Sequence, residues 1–307
     1  MLFAIRDDDV AVPAIAHVQW GLIEPARITE GITKRGIAKV LKEAAAEAEK
    51  MITFNLEKGT FSGKVRAAQL RAATAGMGQL STELWSQVGR ATRGGMYQAA
   101  ELAADQALDR DFFLGMPGRG VMQMADYTHF IGAQVVDDLI SRHSSGFALA
   151  DRIYANGKVT TKTVGRIVDR GLATGLSAKE IAKKVKGYYR PDVPGGASYA
   201  AMRLGRTEIN NAHHHTSIAI SKDRPWITAF KWNLSRSHPK PDPCDALATN
   251  DQDDMGPGVY AKDHAPDKPH PQCLCYLTHV TEDEDEFMDK LVRGDYDDHL
   301  SRAGVVC

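Results

Sequence analysis

The sequence predicts a mainly α protein, with a long-helix N-terminal region followed by a small α+β module whose two-stranded, hairpin-like element is stapled by zinc. Three observations predict it. Alanine is plentiful and aromatic residues make up only 7% of the 307 residues, a balance that favours helix. Apolar residues recur at three- and four-residue steps until about residue 221, then at every second residue from about 226. Three of the four cysteines fall in two clusters beyond that change, Asp242-Pro243-Cys244 and His270-Pro271-Gln272-Cys273-Leu274-Cys275.

Composition excludes several classes. A hydrophobic content of 43% is enough to bury a core, and the length suggests two domains more readily than one. A net charge of −1 does not describe a chain built to coat nucleic acid. The start carries Asp7-Asp8-Asp9, where a secretory signal would need a basic end and an apolar core. No run of about twenty apolar residues exists to span a membrane. Few cysteines, gathered in one patch, argue for a reducing compartment over a disulfide framework. The pattern divides the chain into a helical region at 1–146, a module with a metal site at 147–281 and an acidic tail or helix at 282–307.

In the first region Ile32, Gly36, Ile37, Val40, Leu41, Ala44 and Ala48 form an amphipathic stripe, and Lys58-Gly59 ends that helix. A second helical stretch over about 64–114 contains Gly76, Gly78, Gly89, Gly94 and Gly95. These predict a bent helix or two helices, and leave open close helix approach or weak, kinked helices. Pro117, Gly118 and Gly120 read as a turn before a helix over 121–142, marked by Met124, Phe130, Val135, Val136 and Leu139. His17, His129 and His143 are isolated and read as structural or exposed.

In the middle region Thr160 precedes a helix bearing Val164, Ile167, Val168 and Leu172, and Ser177-Ala178-Lys179-Glu180 has the form of a capping box. The next helix carries Arg206-Thr207-Glu208 and then His213-His214-His215. Consecutive helical residues point about 100° apart, so three histidines in a row do not converge on one ion. They read as a polar, partly exposed face. Arg206 and Glu208 are two apart, do not face each other, and are expected to reach to neighbouring elements, for instance to tether the metal module.

Beyond residue 226, Ile227 to Trp232 alternates as a strand and Leu274 to Val280 reads as its partner. Between them lie a proline-rich turn at Asp242 to Asp245 and a long glycine- and acid-rich loop from Asn250 to Tyr260. So long and core-poor a connection needs a staple. Zinc prefers thiolate sulfur and imidazole nitrogen, and structural zinc supplies folding energy that such a loop cannot draw from burial. The candidate ligands are Cys244, His270, Cys273 and Cys275, with His238 as a rival for the fourth place. Cys307 reads as a bystander. Glu282 to Glu286 reads as the acidic start of a helix bearing Phe287, Met288, Leu291 and Val292.

The order of a capped helix, Arg206-Thr207-Glu208, a strand with Trp232, Asp242-x-Cys244, Gly256-Pro257-Gly258-Val259-Tyr260 and His270-Pro-x-Cys-x-Cys275 resembles the head-morphogenesis family of tailed bacteriophages, the Mu F-like minor head proteins. The resemblance covers roughly 160–282. It implies a virion component of the phage head, made in the host cytoplasm alongside the portal and acting in procapsid assembly and DNA packaging or ejection. Its implied partners are the portal protein, the major capsid protein or both, with packaged DNA left open, and neither a membrane nor a small-molecule substrate. Residues 1–146 become a docking and assembly region, and 147–281 the head-morphogenesis module. Arg206, Thr207 and Glu208 fall on the family's Arg-Thr-Glu helix, with a structural role. Cys244, His270, Cys273 and Cys275 fall on its metal cluster. Many members carry Cys-x-x-Cys at the first cluster, whereas Cys244 stands alone here, so the fourth ligand stays open between His270 and His238. The competing class is an enzyme, either a zinc-dependent nuclease or hydrolase or a toxin-like transferase. It would need an open metal position for water and a base such as Glu208 or Asp245.

Overall fold

The amphipathic stripes pack long helices against one another. The structure, a computed structural model, describes residues 25–56, 63–113, 118–141, 148–190, 195–236, 238 and 241–303. It is mainly helical with a small antiparallel sheet. Helix α1 (Pro25–Leu56) buries Ile37, Leu41, Ala44, Ala48 and Ile52, and turns Lys42, Glu43 and Glu47 to solvent. Helix α2 (Gly63–Phe113) is one uninterrupted helix rather than two. Its glycines are places of close approach. A Cβ on Gly89 would meet Ile153, and one on Gly95 would meet both Ile209 and Ile32. Lys58-Gly59, Pro117, His17, His143 and Cys307 lie outside the described residues.

Helix α3 (Gly118–Ser141) takes Gly118 and Gly120 into its first turn, so the expected turn does not extend to them. Met124, Val136 and Leu139 are buried, but Phe130 is 56% exposed. Helix α4 (Leu149–Ala173) starts eleven residues before Thr160. Thr160 is no helix start: its buried hydroxyl accepts a hydrogen bond from Trp85 Nε1 at 2.8 Å. A long threonine- and lysine-rich stretch conceals that start, because what marks it is Asp151 bonding back to the Ala148 N–H. Helix α5 (Ala178–Tyr188) opens on the Ser177–Glu180 box, with Ser177 N–H donating to Glu180 at 2.8 Å and Glu180 N–H to Ser177 Oγ at 3.3 Å. Helix α6 (Ala197–Asp223) runs through the middle. Residues from α1 to α6 share one hydrophobic core, which draws on both sides of residue 146.

The sheet has three strands, not two, in the order β2-β1-β3. Strand β1 (Ile227–Asn233) pairs antiparallel with β2 (Val259–Ala261) on one edge and β3 (Tyr276–Thr281) on the other. The third strand comes from the segment read as loop. Gly256 and Gly258, both with positive φ, turn the chain so that Val259 and Tyr260 can pair. A register shift between Ile227 and Ala229 breaks the expected alternation, so that Ala229 and Phe230 are both buried. Helix α7 (Pro243–Thr249) lies between β1 and β2, followed after β2 by a 3-10 turn at Lys262–His264. Helices α8 (Glu284–Arg293) and α9 (Asp297–Arg302) close the chain, packing Phe287, Tyr296 and Leu300 on Trp226. Of the expected α8 face only Phe287 is fully buried, with Leu291 packed beside it; Met288 and Val292 are exposed. Among the described residues no helix is long and apolar enough to cross a membrane.

The module core is thin. Three of its seven buried side chains, Cys244, Cys273 and Cys275, are cysteines, and the other four are Phe230, Trp232, Tyr260 and Leu277. A core that small holds a long connection poorly by hydrophobic burial alone.

Gly258 is held at φ 72°, and a Cβ there would lie 2.7 Å from the Ala248 backbone oxygen. Backbone cannot swing aside as a side chain does, and left-handed φ disfavours any L side chain. Gly258→Ala is expected to cost roughly 2–4 kcal/mol and to loosen 226–281 more than the helices. Urea unfolding followed by tryptophan fluorescence, with helix content read in parallel, measures it.

Candidate metal centre

Two segments far apart in sequence deliver the sulfur atoms. The first is the start of α7, where Asp242 is the N-cap and its carboxylate accepts from Cys244 N–H at 2.7 Å. Pro243 occupies the first turn, and Asp245 reaches back to the Asp242 N–H at 2.7 Å. This is a helix, not the expected proline-rich turn. The Asp-Pro-x-Asp pattern carried the signal, since an N-cap acceptor, a proline in the first turn and an acid three residues on mark a helix start. Cys244 is thereby fixed, fully buried, in that first turn.

The second segment is Pro269 to Cys275. Gln272 adopts a left-handed φ of 63°, and Cys273 N–H closes the turn onto His270 O at 3.3 Å. A non-glycine residue in that region costs energy, and here α6 holds it. Thr207 Oγ1 accepts from Gln272 N–H at 3.1 Å, Arg206 Nη1 donates to the Gln272 side chain at 3.2 Å, and the Asn210 amide donates to Cys273 O. Arg206 also reaches Glu30 on α1 at 2.8 Å. Glu208 points elsewhere, to Arg152 on α4 at 2.7 Å. Asn210 escaped the sequence reading, although it lies one turn beyond Arg206 on the same face.

Cys244 Sγ lies 3.3 Å from His270 Nε2 and 3.4 Å from Cys273 Sγ, and these three atoms group within 4.8 Å of one another. Around a tetrahedral zinc, bonds of about 2.3 Å to sulfur and 2.0 Å to nitrogen place two sulfurs ~3.8 Å apart and sulfur and nitrogen ~3.6 Å apart. A few tenths of an ångström of expansion brings the three to that spacing. Cys275 is the neighbouring third thiol, with its sulfur accepting from Ser235 N–H at 3.5 Å. His238 Nδ1 lies 3.9 Å from that sulfur.

Both histidines turn a ring nitrogen toward a sulfur. His270 Nδ1 is placed to donate to Pro271 O at 3.0 Å, leaving Nε2 as the acceptor beside Cys244. His238 Nε2 donates to Asp245 at 2.9 Å, leaving Nδ1 toward Cys275. A carbonyl or carboxylate behind the far nitrogen is how ligating imidazoles are usually held. Asp242 lies between the rings, 3.1 Å from His270 Nε2 and 3.7 Å from His238 Nδ1. His270 therefore groups with Cys244 and Cys273, while His238 flanks Cys275.

The thiols resist becoming anionic together. Burial pushes the Cys244 thiol up to about 12, and the hydrogen bond with Cys273, then burial, raises Cys275 as well. Cys273 moves the other way, chiefly because Cys275 donates to it, with Lys268 assisting. Desolvation brings Lys268 down to about 8. Cys273 is thus the thiol most readily ionised of the three, and a bound cation would favour the thiolate form of all of them. Cys244, His270 and Cys273 form a thiol and imidazole set of the kind that can hold a soft divalent metal ion.

The triple histidine takes no part. His213 and His214 are buried rather than on a partly exposed face, and each meets a different element. His213 Nε2 lies 3.0 Å from Gln106 Oε1, His214 Nε2 lies 2.9 Å from Pro266 O, and His215 Nε2 lies 3.7 Å from Asp267. Of the proposed bases, Glu208 is committed to Arg152, and Asp245 to His238 and the α7 cap. His129 sits at the surface beside Asp105 at 3.3 Å. Compared with known proteins, the chain matches no family model, no curated protein and no solved structure.

Burial holds His213 down to about 3 and His214 well below its ordinary value. In the unfolded chain a histidine protonates near 6.5, so the unfolded state gains protons first and stability falls as pH drops below that value. His213→Gln is expected to lose about 2 kcal/mol less stability than the parent between pH 7 and pH 5. Urea midpoints at the two pH values test it, and equal losses would show that His213 is not held neutral.

Proposed function

We propose that the chain is a structural minor head protein of a tailed bacteriophage, in which zinc bound by Cys244, His270, Cys273 and Cys275 staples the β1–β3 module. Its role is in procapsid assembly and DNA packaging or ejection, beside the portal or the major capsid protein, and it is not an enzyme. The observation that carries the reading is the convergence of Cys244 with His270 and Cys273 from 26 and 29 residues away, in the element order that resembles the Mu F-like proteins. Long helices outside the module offer surface for docking on a protein lattice, and the near-neutral charge suits a protein surface better than duplex DNA. A set rich in thiolates favours a closed structural site over a catalytic one.

Metal analysis of the purified chain is expected to give about one zinc per chain. Cys273→Ser should abolish it and make 226–281 sensitive to protease while α1–α5 stay protected. Absence of stoichiometric zinc with unchanged proteolysis would remove the staple. The assembly role is tested separately, by whether the protein is present in purified heads with portal and capsid subunits. Heads that lack it, from cells that produce it in soluble form, would overturn that role.

A further inference from the structure

A groove runs along the helical region, away from the metal centre, between α2 and α4. Its volume is about 680 Å3. The walls are rigid and antiparallel, with Gly78 against Thr161, Gly157 against the Trp85 ring and Gly89 against Ile153. The lining residues run from Thr82 to Arg93 on α2 and from Leu149 to Lys162 on α4, with Ile140 of α3 beside them. At 1.5 Å per residue those stretches are about 17 and 20 Å long. The groove is therefore long and narrow, the shape that a third helix of about three turns would fill.

Its chemistry is two-sided. Ile140, Ile153 and Tyr154 supply apolar surface over a floor of buried Trp85 and Leu149. Trp85 is 2% exposed, with Nε1 bonded to Thr160 and its ring against Gly157, so it shapes the floor of the groove and offers no free face. Tyr154 is 65% exposed on α4. The charged lining groups are Arg93, Lys158 and Lys162, all cationic and all exposed. Lys158 lies over the Tyr154 ring, 4.7 Å from its centre, which joins the cationic rim to the aromatic anchor.

We propose that this groove is a docking site for an acidic amphipathic helix of a partner protein. Apolar side chains at i, i+3, i+4 and i+7 would lie over Ile140 and Ile153, beside the Tyr154 ring. Carboxylates on the flanks of that helix would meet Arg93, Lys158 and Lys162. Tyr154 has the position of a binding anchor, since aromatic side chains ringed by polar groups carry most of the affinity at such surfaces. The length of the groove favours a helix over a small amphiphile, and the uniform charge of its rim selects an acidic one.

The test uses the full chain and two labelled synthetic peptides with the same leucine stripe, one with glutamate flanks and one with lysine flanks, read by fluorescence anisotropy. The glutamate peptide should bind at least about tenfold more tightly than its lysine twin. Lys158→Glu with Lys162→Glu should reverse the preference. Tyr154→Ala should weaken the glutamate peptide about tenfold or more, with circular dichroism and zinc content unchanged. Equal binding of the two peptides, or none, overturns the proposal. So does displacement of the probe by a synthetic Met1–Glu24 segment, by dodecanoate, or by self-association of the chain that Tyr154→Ala abolishes. These place another occupant in the groove.

Discussion

Helix α6 has to satisfy two neighbours of opposite character, and the rest of the molecule is arranged around that constraint. Toward the bundle it presents Ala201, Gly205, Ile209 and Ala212, small or branched groups that let α1 and α2 come close. A Cβ on Gly205 would meet Ile37 and Thr33, which shows how near α1 lies. Toward the module it presents Arg206, Thr207, Asn210 and His214, each placed to meet a backbone or side-chain group of the 266–275 segment. A buried polar group is tolerated only where it finds a partner. The polar face of α6 is therefore a template: the segment that folds onto it must bring carbonyls and N–H groups to those positions.

The template explains why the metal segment can hold a left-handed Gln272. The turn alone would relax toward another conformation, but Thr207 and Arg206 fix both the backbone and the side chain of that residue. His270 and Cys273 then fall on either side of a defined turn and face Cys244. On the other side, Asp242 does two things at once. It caps α7, which positions Cys244, and its carboxylate lies beside both imidazoles. Metal affinity and local folding are thus coupled through the same few hydrogen bonds.

Much of this was legible in the sequence because it follows from periodicity and from local chemistry. The α1 stripe and the Ser177–Glu180 box depend on residues whose spacing dictates where they point, and Cys244, His270 and Cys273 stood out by their chemistry as metal-ligand types. The illegible parts depend on distant partners. Nothing local distinguishes Thr160 as the acceptor for Trp85, seventy-five residues away, from a helix start. Nothing local says that Val259 and Tyr260 form a strand, because a three-residue strand exists only by pairing with β1. The glycines of α2 left close helix approach and weak, kinked helices equally open, and only the distant partners Ile153 and Ile209 decide for the first. The histidine triplet looked polar and exposed, and two of its members are buried because Gln106 and Pro266 complete their hydrogen bonds. In the α7 cap, by contrast, the pattern was present and its helical meaning was obscured by the prolines around it.

Arg206 makes the connection between the two halves physical. Its guanidinium spans Glu30, in the second turn of α1, and Gln272, between two of the proposed metal ligands. A planar fork with fixed donor directions holds two partners in one relative orientation, which an ammonium on a flexible stem does less well. The start of the long-helix region and the metal turn are therefore positioned by one side chain. Thr207 and Asn210 address only the metal turn, and Glu208 addresses only the bundle through Arg152. The Arg-Thr-Glu sequence thus divides its labour by helical angle: successive residues point about 100° apart, so one short run reaches α1, the metal turn and α4 in succession.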